Sequence, residues 1–190
     1  MTRSHDNLRI DGGRLWESLM AMHAIGATAK GGNNRQTLTG LDAEGRALFK
    51  RWCEAVGAPV TLDDMGNQIA RRPGARDDLP PVVVGSHLDT QPTGGKFDGV
   101  AGVLAGLELL RTLDEHGLTT DHPIEVVNWT NEEGCRFAPS MIASGVYAGA
   151  FDKDWAWART DADGTTFADA LAAIGAKGDA PCAPRPMKAF

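Results

Sequence analysis

The sequence contains little cysteine, no surplus of basic residues and no long apolar run. Its three cysteines, Cys53, Cys135 and Cys182, are irregularly spaced, so they predict neither a disulfide framework nor a cysteine zinc site and favour a reducing compartment. The formal net charge is -6, which argues against a nucleic-acid partner. No apolar stretch is long enough to span a membrane, and residues 1–10 lack the apolar core of a signal peptide. We therefore expect a cytoplasmic protein without a nucleic-acid or membrane partner.

Hydrophobic patterning predicts an α/β fold. A β-branched run at 82–85 is followed by a glycine-rich loop, an amphipathic segment at 100–116 and a second apolar run at 123–129. This order is the signature of a crossover unit with parallel strands, and continuous apolar runs are typical of strands buried on both faces. No clear domain boundary interrupts residues 1–190. The other predicted elements are helices at 13–25, 42–56 (capped by Asp42), 141–150 and 167–174, short strands at 60–62 and 68–70, and the beginning of a strand at 187–190.

The first candidate for chemistry lies where the 82–85 strand ends, because ligands of open α/β sheets bind beyond the carboxyl ends of the strands. His87 occupies that position. Asp89 falls on the same side of an extended chain, where its carboxylate can accept the second ring N–H of a metal-bound histidine. A histidine that is merely hydrogen-bonded at a strand end is the simpler interpretation of His87 taken alone.

Acidic residues follow in the glycine-rich loop and after the second buried strand. Asp98 directly precedes the predicted helix, where N-capping is the plain interpretation and cation binding is a compatible one. Glu132 and Glu133 would point to opposite faces of a regular strand, but a loop can bring both to one site. A solvated pair of surface acids is the alternative. The glycines at the start of the long helix lack the spacing of a dinucleotide-binding loop and indicate close helix packing.

Together these positions supply one imidazole and several carboxylates, a nitrogen and oxygen set suited to zinc, manganese, cobalt or nickel. A carboxylate can bridge two such ions at a separation of about 3.5–4 Å, where they activate water. A second acid that does not bind metal can then serve as the general base. Cys135 follows the acids but has no histidine near it in sequence, so a nucleophilic cysteine is only weakly supported.

Three segments carry a resemblance to a known family. They are Gly-Ser-His-Leu-Asp-Thr at 85–90, Gly-Gly-Lys-Phe-Asp-Gly at 94–99 and Glu-Glu-Gly-Cys-Arg-Phe at 132–137. In this order they resemble the hydantoinase/carbamoylase family of amidohydrolases, which includes N-carbamoyl-L-amino acid hydrolases, β-ureidopropionases and allantoate amidohydrolases. The resemblance covers nearly the whole chain. It implies a three-layer zinc-exopeptidase-like catalytic domain, of which residues 1–190 form the N-terminal, metal-binding part.

The resemblance also implies a role for each candidate residue. His87 resembles a ligand of one metal ion, Glu133 resembles a ligand of the other, and Asp98 resembles the carboxylate that bridges both. Glu132 is similar to the general base that activates water. Asp89 resembles the acid that supports the histidine from behind.

The implied activity is hydrolysis of the carbamoyl C–N bond of a small-molecule substrate, an N-carbamoyl amino acid, by a homodimeric enzyme with two divalent ions per site. The resemblance assigns no role to Arg136, for which packing or a salt bridge is the simple expectation. The family's second and third histidines and its lid and dimerisation domain have no counterpart in the sequence, so an incomplete, inactive fragment is expected. The alternatives are a di-metal peptidase, an N-acyl-amino-acid deacylase and a non-catalytic metal-binding module.

Overall fold

A computed structural model of the protein describes residues 8–190. Residues 1–7, where the sequence analysis predicted no signal peptide, lie outside the described residues. Within that range no helix is long and apolar enough to cross a membrane. The helices are α1 (Gly12–Ala24), α2 (Gly40–Glu54), α3 (Val100–Glu115), α4 (Ile142–Tyr147), α5 (Lys153–Trp157) and α6 (Phe167–Ala173). The strands are β1 (Val60–Leu62), β2 (Gln68–Arg72), β3 (Val82–Ser86) and β4 (Ile124–Asn128).

The four strands form one mixed sheet in the order β1-β2-β4-β3. β1 and β2 form an antiparallel pair, β2 is antiparallel to β4, and β4 is parallel to β3. The predicted α/β crossover is confirmed, because α3 connects β3 to its parallel neighbour β4 and packs against both. The carboxyl ends of these two strands therefore meet at one edge of the sheet.

β3 lies at the border of this sheet and is only partly buried, whereas every residue of β4 is buried. The prediction that the 82–85 strand is covered on both faces is therefore wrong, since an apolar run also suits a border strand that packs under a helix. Beyond β3, Val82 forms a parallel bridge to Ala189, and the Val83 N–H donates to the Ala189 carbonyl over 2.9 Å. This bridge agrees with the strand predicted to begin at 187–190.

The start of α2 differs from the prediction. Thr39 is its N-cap, and the Thr39 hydroxyl accepts a hydrogen bond from the Asp42 N–H. Asp42 lies inside the first turn and is almost fully buried. Its Oδ2 accepts hydrogen bonds of 2.8 Å from the Leu38 N–H and from Arg46 Nε. The carboxylate that was expected to cap the helix instead joins the preceding turn to the helix.

The start of α3 also differs, because Gly99 is its N-cap and no side chain caps the helix. The N-cap interpretation of Asp98 is therefore wrong. Further along, a Cβ added to Gly106 would lie 2.8 Å from Val126 and 2.9 Å from Val84 of the two parallel strands. The glycine spacing thus reflects close helix–sheet packing, as predicted, and it holds α3 directly over the strand pair.

Two hydrophobic clusters stabilise the described residues. One lies between the sheet and helices α1 to α3 and includes Phe49, Leu107 and Val126. The other lies within residues 137–182 and the turns that they cover, with Phe137 packed edge-on against Phe167. This second region also contains α5, a helix of only five residues that the sequence analysis did not predict.

A buried ion pair joins α1 to α3. Glu108 of α3 has no exposed surface, and it accepts hydrogen bonds from Arg14 Nε at 2.9 Å and Arg14 Nη2 at 2.7 Å. Burial is the largest single influence and raises the pKa of Glu108, but the hydrogen bonds from Arg14 and the Asp11 N–H, together with the positive charges of Arg14 and Arg111, lower it, and the net effect is a lowered pKa. The pair therefore fixes α1 against the helix that follows the site loop.

Candidate metal centre

The candidate residues meet at the carboxyl-end edge of the parallel strand pair. His87 follows β3 directly, Asp98 lies two residues before α3, and Glu132 and Glu133 come four and five residues after β4. One ligand atom from each of His87, Asp98 and Glu133 can be chosen so that all three lie within 4.8 Å of one another. The structure thus brings together the three residues that the motifs suggested as ligands.

The imidazole of His87 is oriented with one nitrogen toward the protein and the other toward the cluster. Nδ1 lies 2.9 Å from the Asp89 main-chain carbonyl, and Nε2 lies 3.4 Å from Glu132 Oε2. Gly99 packs against the face of this ring, since a Cβ there would lie 2.4 Å from two ring atoms, Cε1 and Nε2. A hydrogen bond at Nδ1 leaves Nε2 as the nitrogen that can bind a metal.

Asp89 supports the histidine differently from the expectation. Its Oδ1 is 3.8 Å from His87 Nδ1, too far for a hydrogen bond, so the main-chain carbonyl takes that role. The carboxylate instead accepts the N–H groups of Glu132 and Glu133, each at 3.3 Å. Burial and the nearby charge of Asp42 raise the pKa of Asp89 to about 6, while His87 and the two amides oppose that shift. Asp89 therefore connects residues 87–90, which follow β3 and which we call the histidine loop, to the paired acids.

The paired acids lie in a short loop, residues 130–137, which we call the acid loop. Asn131 begins its turn with a φ of 57°, and its side-chain amide donates to the Phe137 carbonyl over 2.8 Å. This closure lets adjacent acids reach the same site, as the sequence analysis expected of a loop.

Arg136 forms an ion pair with Asp161 and donates to main-chain carbonyls of the turn before α2, which agrees with the simple expectation of a salt bridge.

Glu133 provides the observation that tests whether these residues fit a metal ion. Its Oε2 accepts a hydrogen bond of 3.0 Å from Gln91 Nε2. Its Oε1 is buried and has no hydrogen-bond partner among the described residues. A buried carboxylate oxygen without a donor is costly unless a positive group approaches it. An imidazole nitrogen and carboxylate oxygens converge on the same point, and that set of atoms fits a divalent ion.

Gln91 was missed by the sequence analysis, although it lies in the loop between His87 and Asp98. Its position in that loop was the signal that could have identified it.

Cys135 was considered as a nucleophile and is exposed. Partial burial and the negative charges of Glu133 and Asp89 raise its pKa, which disfavours the reactive thiolate. The geometry therefore favours metal-based chemistry over cysteine chemistry at this edge.

Comparisons with known proteins agree with this fold. Residues 83–175 match the family model of Peptidase family M20/M25/M40. An N-carbamoyl-L-amino-acid amidohydrolase of Rhizobium meliloti is 54% identical over 190 residues, covering 100% of this chain and 46% of that protein. Its namesake from Geobacillus stearothermophilus is 42% identical over 166 residues, covering 87% of this chain and 40% of that protein. The crystal structure of a hydantoinase/carbamoylase family amidase from Burkholderia multivorans has a TM-score of 0.95 and 56% identity, covering 96% and 45% of the two chains.

The match to the M20/M25/M40 family includes α3, β4 and all the candidate residues, so it falls on the part of the fold that builds the site. Members of that family use divalent metal ions. Over nearly its whole length the chain is similar in sequence and fold to hydantoinase/carbamoylase family amidases, which confirms the resemblance seen in the sequence motifs. The chain spans less than half the length of these relatives.

Proposed function

We propose that the full-length protein, meaning this chain extended to the length of its relatives, hydrolyses the carbamoyl C–N bond of N-carbamoyl amino acids with the help of divalent metal. The observation that carries this proposal is the convergence of His87, Asp98 and Glu133, together with the unpartnered oxygen of Glu133. The substrate class is supported by the names of the Rhizobium meliloti and Geobacillus stearothermophilus relatives.

Three of the described residues have proposed roles as metal ligands. His87 would hold one ion through Nε2, Glu133 would hold a second through its carboxylate, and Asp98 would be shared between them. The ions, when bound, act as Lewis acids that polarise the substrate carbonyl and lower the pKa of water. Two zinc, manganese, cobalt or nickel ions suit this mixed set of atoms. These residues give each ion only two ligands, so we expect other parts of the full-length protein to supply the rest.

Glu132 is the proposed general base. Its Oε2 lies beside His87 Nε2, so the carboxylate faces the point where the ligands converge. There it can take a proton from the attacking water and deliver it to the departing nitrogen. Asp89 holds the main-chain N–H groups of both acids, which keeps Glu132 at that point while Glu133 binds metal. The products would be the free amine, ammonia and carbon dioxide.

A di-metal peptidase or N-acyl-amino-acid deacylase is the second candidate function. The match to a peptidase family supports it, because the same metal chemistry cleaves peptide and carbamoyl bonds. The residues that distinguish the substrates are expected outside 8–190. A homodimeric assembly and a cytoplasmic location complete the proposal. The three unpaired cysteines support the location.

The test is a side-by-side assay of the full-length protein loaded with zinc or manganese. We expect ammonia release from N-carbamoyl amino acids to exceed hydrolysis of dipeptides and N-acyl amino acids by at least about tenfold in kcat/KM, a difference of about 1.4 kcal/mol in transition-state binding. A preference for dipeptides or acyl substrates would favour the second candidate. Tight metal binding without turnover of any of these substrates would favour a non-catalytic metal-binding module.

A further inference from the structure

The segment between α1 and α2, together with the first turns of α2, contacts both loops of the candidate centre. We call residues 35–46 the frame segment. Three of its charged side chains are almost fully buried, with exposed fractions of 1% for Arg35, 1% for Asp42 and 6% for Arg46. None of the three belongs to the ligand cluster. Buried charges contribute little net stability in general, so their placement calls for another explanation.

Arg35 holds the loop that carries the histidine. Its Nε donates to the Leu88 carbonyl over 2.9 Å. Its main-chain N–H donates to Thr90 Oγ1 over 2.8 Å, and its carbonyl accepts the Thr90 N–H over 2.9 Å. The residues on both sides of Asp89 are therefore fixed to the frame segment.

Arg46 holds the first residue of the acid loop. Its Nη2 donates to Thr130 Oγ1 over 2.8 Å, and its Nη1 donates to the Gly66 carbonyl over 2.7 Å. The Thr130 N–H donates in turn to Asn67 Oδ1 over 2.9 Å. Thr130 is thus fixed through both its side chain and its main chain, one residue before the turn that presents the acids.

Arg136 holds the other end of the acid loop against the same segment. Its Nη1 donates to the carbonyls of Thr37 and Leu38, at 3.1 Å and 2.5 Å. The N–H of Leu38 and the Nε of Arg46 both donate to Asp42 Oδ2. Asp42 Oδ2 therefore connects the Arg46–Thr130 contact at the start of the acid loop to the Arg136–Leu38 contact at its end.

We infer that the frame segment is a positioning element of the metal centre. Arg46, together with the carbonyls that receive Arg136 of the acid loop, sets the position of the acid loop, and Arg35 sets that of the histidine loop, so that the two loops lie at a fixed separation. This inference rests on the proposed metal centre for its functional meaning, but the mechanical part stands on the contacts alone. None of these arginines is proposed to touch substrate or metal. A purely structural role would stabilise the fold without a specific effect on the acid loop.

The test compares three threonine variants of the full-length protein. Thr130→Val removes the hydroxyl that Arg46 binds and keeps the side-chain shape, while Thr130→Ser keeps the hydroxyl. Thr112→Val is the matched control, because Thr112 is also buried and its hydroxyl donates to the Glu108 carbonyl within α3, away from the acid loop.

The first measurement is amide hydrogen exchange of the metal-free protein, read by mass spectrometry on peptides that cover 129–137. We expect Thr130→Val to speed exchange there by about tenfold or more, which corresponds to a loss of about 1.4 kcal/mol of local protection. Thr130→Ser and Thr112→Val should leave these peptides close to wild type. Equal acceleration in Thr112→Val, or none in Thr130→Val, would overturn the inference. If Thr130→Val does not fold, Arg136→Gln tests the other end of the loop with the same expectation.

The second measurement is metal binding, followed by zinc titration and by the visible absorption spectrum of the cobalt form. Loss of groups that orient ligands typically weakens metal affinity by about 10–100-fold, and we expect this range for Thr130→Val with a changed cobalt spectrum. Wild-type affinity and an unchanged spectrum in that variant would overturn the positioning role. A wild-type protein that binds no metal, yet shows the exchange effect, would refute the proposed metal centre and leave the mechanical contact intact.

Discussion

Gly99 offers the sharpest test of the histidine geometry. A Cβ at this position would lie 2.4 Å from His87 Cε1 and Nε2, whereas ordinary contacts begin near 3.4 Å. The Gly99→Ala variant therefore has to move the imidazole by about 1 Å, and a misplacement of that size can cost about 100-fold in rate. The φ of Gly99 is 66°, so the alanine also adds backbone strain of about 1–2 kcal/mol.

The assay for Gly99→Ala is metal content and zinc affinity of the full-length protein, measured well below its unfolding temperature. Gly95→Ala is the control, because its added Cβ would meet only Asp98 Cβ, at 3.9 Å, within the same loop. We expect metal affinity to fall by at least about tenfold in Gly99→Ala and to stay near wild type in Gly95→Ala. Wild-type metal affinity in both variants would refute the proposal that His87 binds metal in this orientation.

Three further predictions concern the paired acids, the buried ion pair between α1 and α3, and the cysteines. Glu132→Gln should keep wild-type metal content but lower kcat by about 10²–10⁴-fold, because an amide cannot accept a proton from water; metal loss equal to that of an Asp98→Ala variant would contradict separate roles. Glu108→Gln should lower the free energy of unfolding by about 2–3 kcal/mol at pH 7, because Arg14 loses its buried carboxylate. Since the folded pKa of Glu108 is lowered from 4.5, that difference should shrink as pH falls below about 4.5 in chemical-denaturation curves, and a difference independent of pH would contradict the ion pair. Mass-mapped alkylation of the native protein should label the exposed Cys135 but not the two buried cysteines, one of which has its pKa raised to about 12 by burial; equal labelling would contradict the described cores.

The sequence predicted the features that depend on local patterning. The crossover unit followed from two apolar runs around an amphipathic helix, and the convergence of His87, Asp98 and Glu133 followed from strand ends that share one edge. The prediction that β3 is buried on both faces was wrong, because the elements that cover or expose a strand are distant from it in sequence. The expected hydrogen bond from His87 to the Asp89 carboxylate was wrong for a similar reason, because the partners of that carboxylate depend on how the chain curves after β3.

Long-range polar contacts were the other features that the sequence analysis missed. Arg35 and Arg46 were not recognised because charged residues are normally exposed, and no local pattern distinguishes a buried arginine from a surface one. Their acceptors lie 53 and 84 residues further along the chain, at Leu88 and Thr130. Only the folded arrangement reveals that these side chains contact the loops of the candidate centre.

The contacts of Asp89 also have a consequence for folding. Its carboxylate joins main-chain groups 43 and 44 residues later, so the ligand cluster forms only after β3, α3 and β4 have docked. An unfolded chain has no such cluster, and metal would therefore bind the native state selectively. Metal at 100 times its dissociation constant would add about 2.7 kcal/mol to stability. Bound cobalt would consequently give an optical signal that reports whether the crossover unit has its native arrangement.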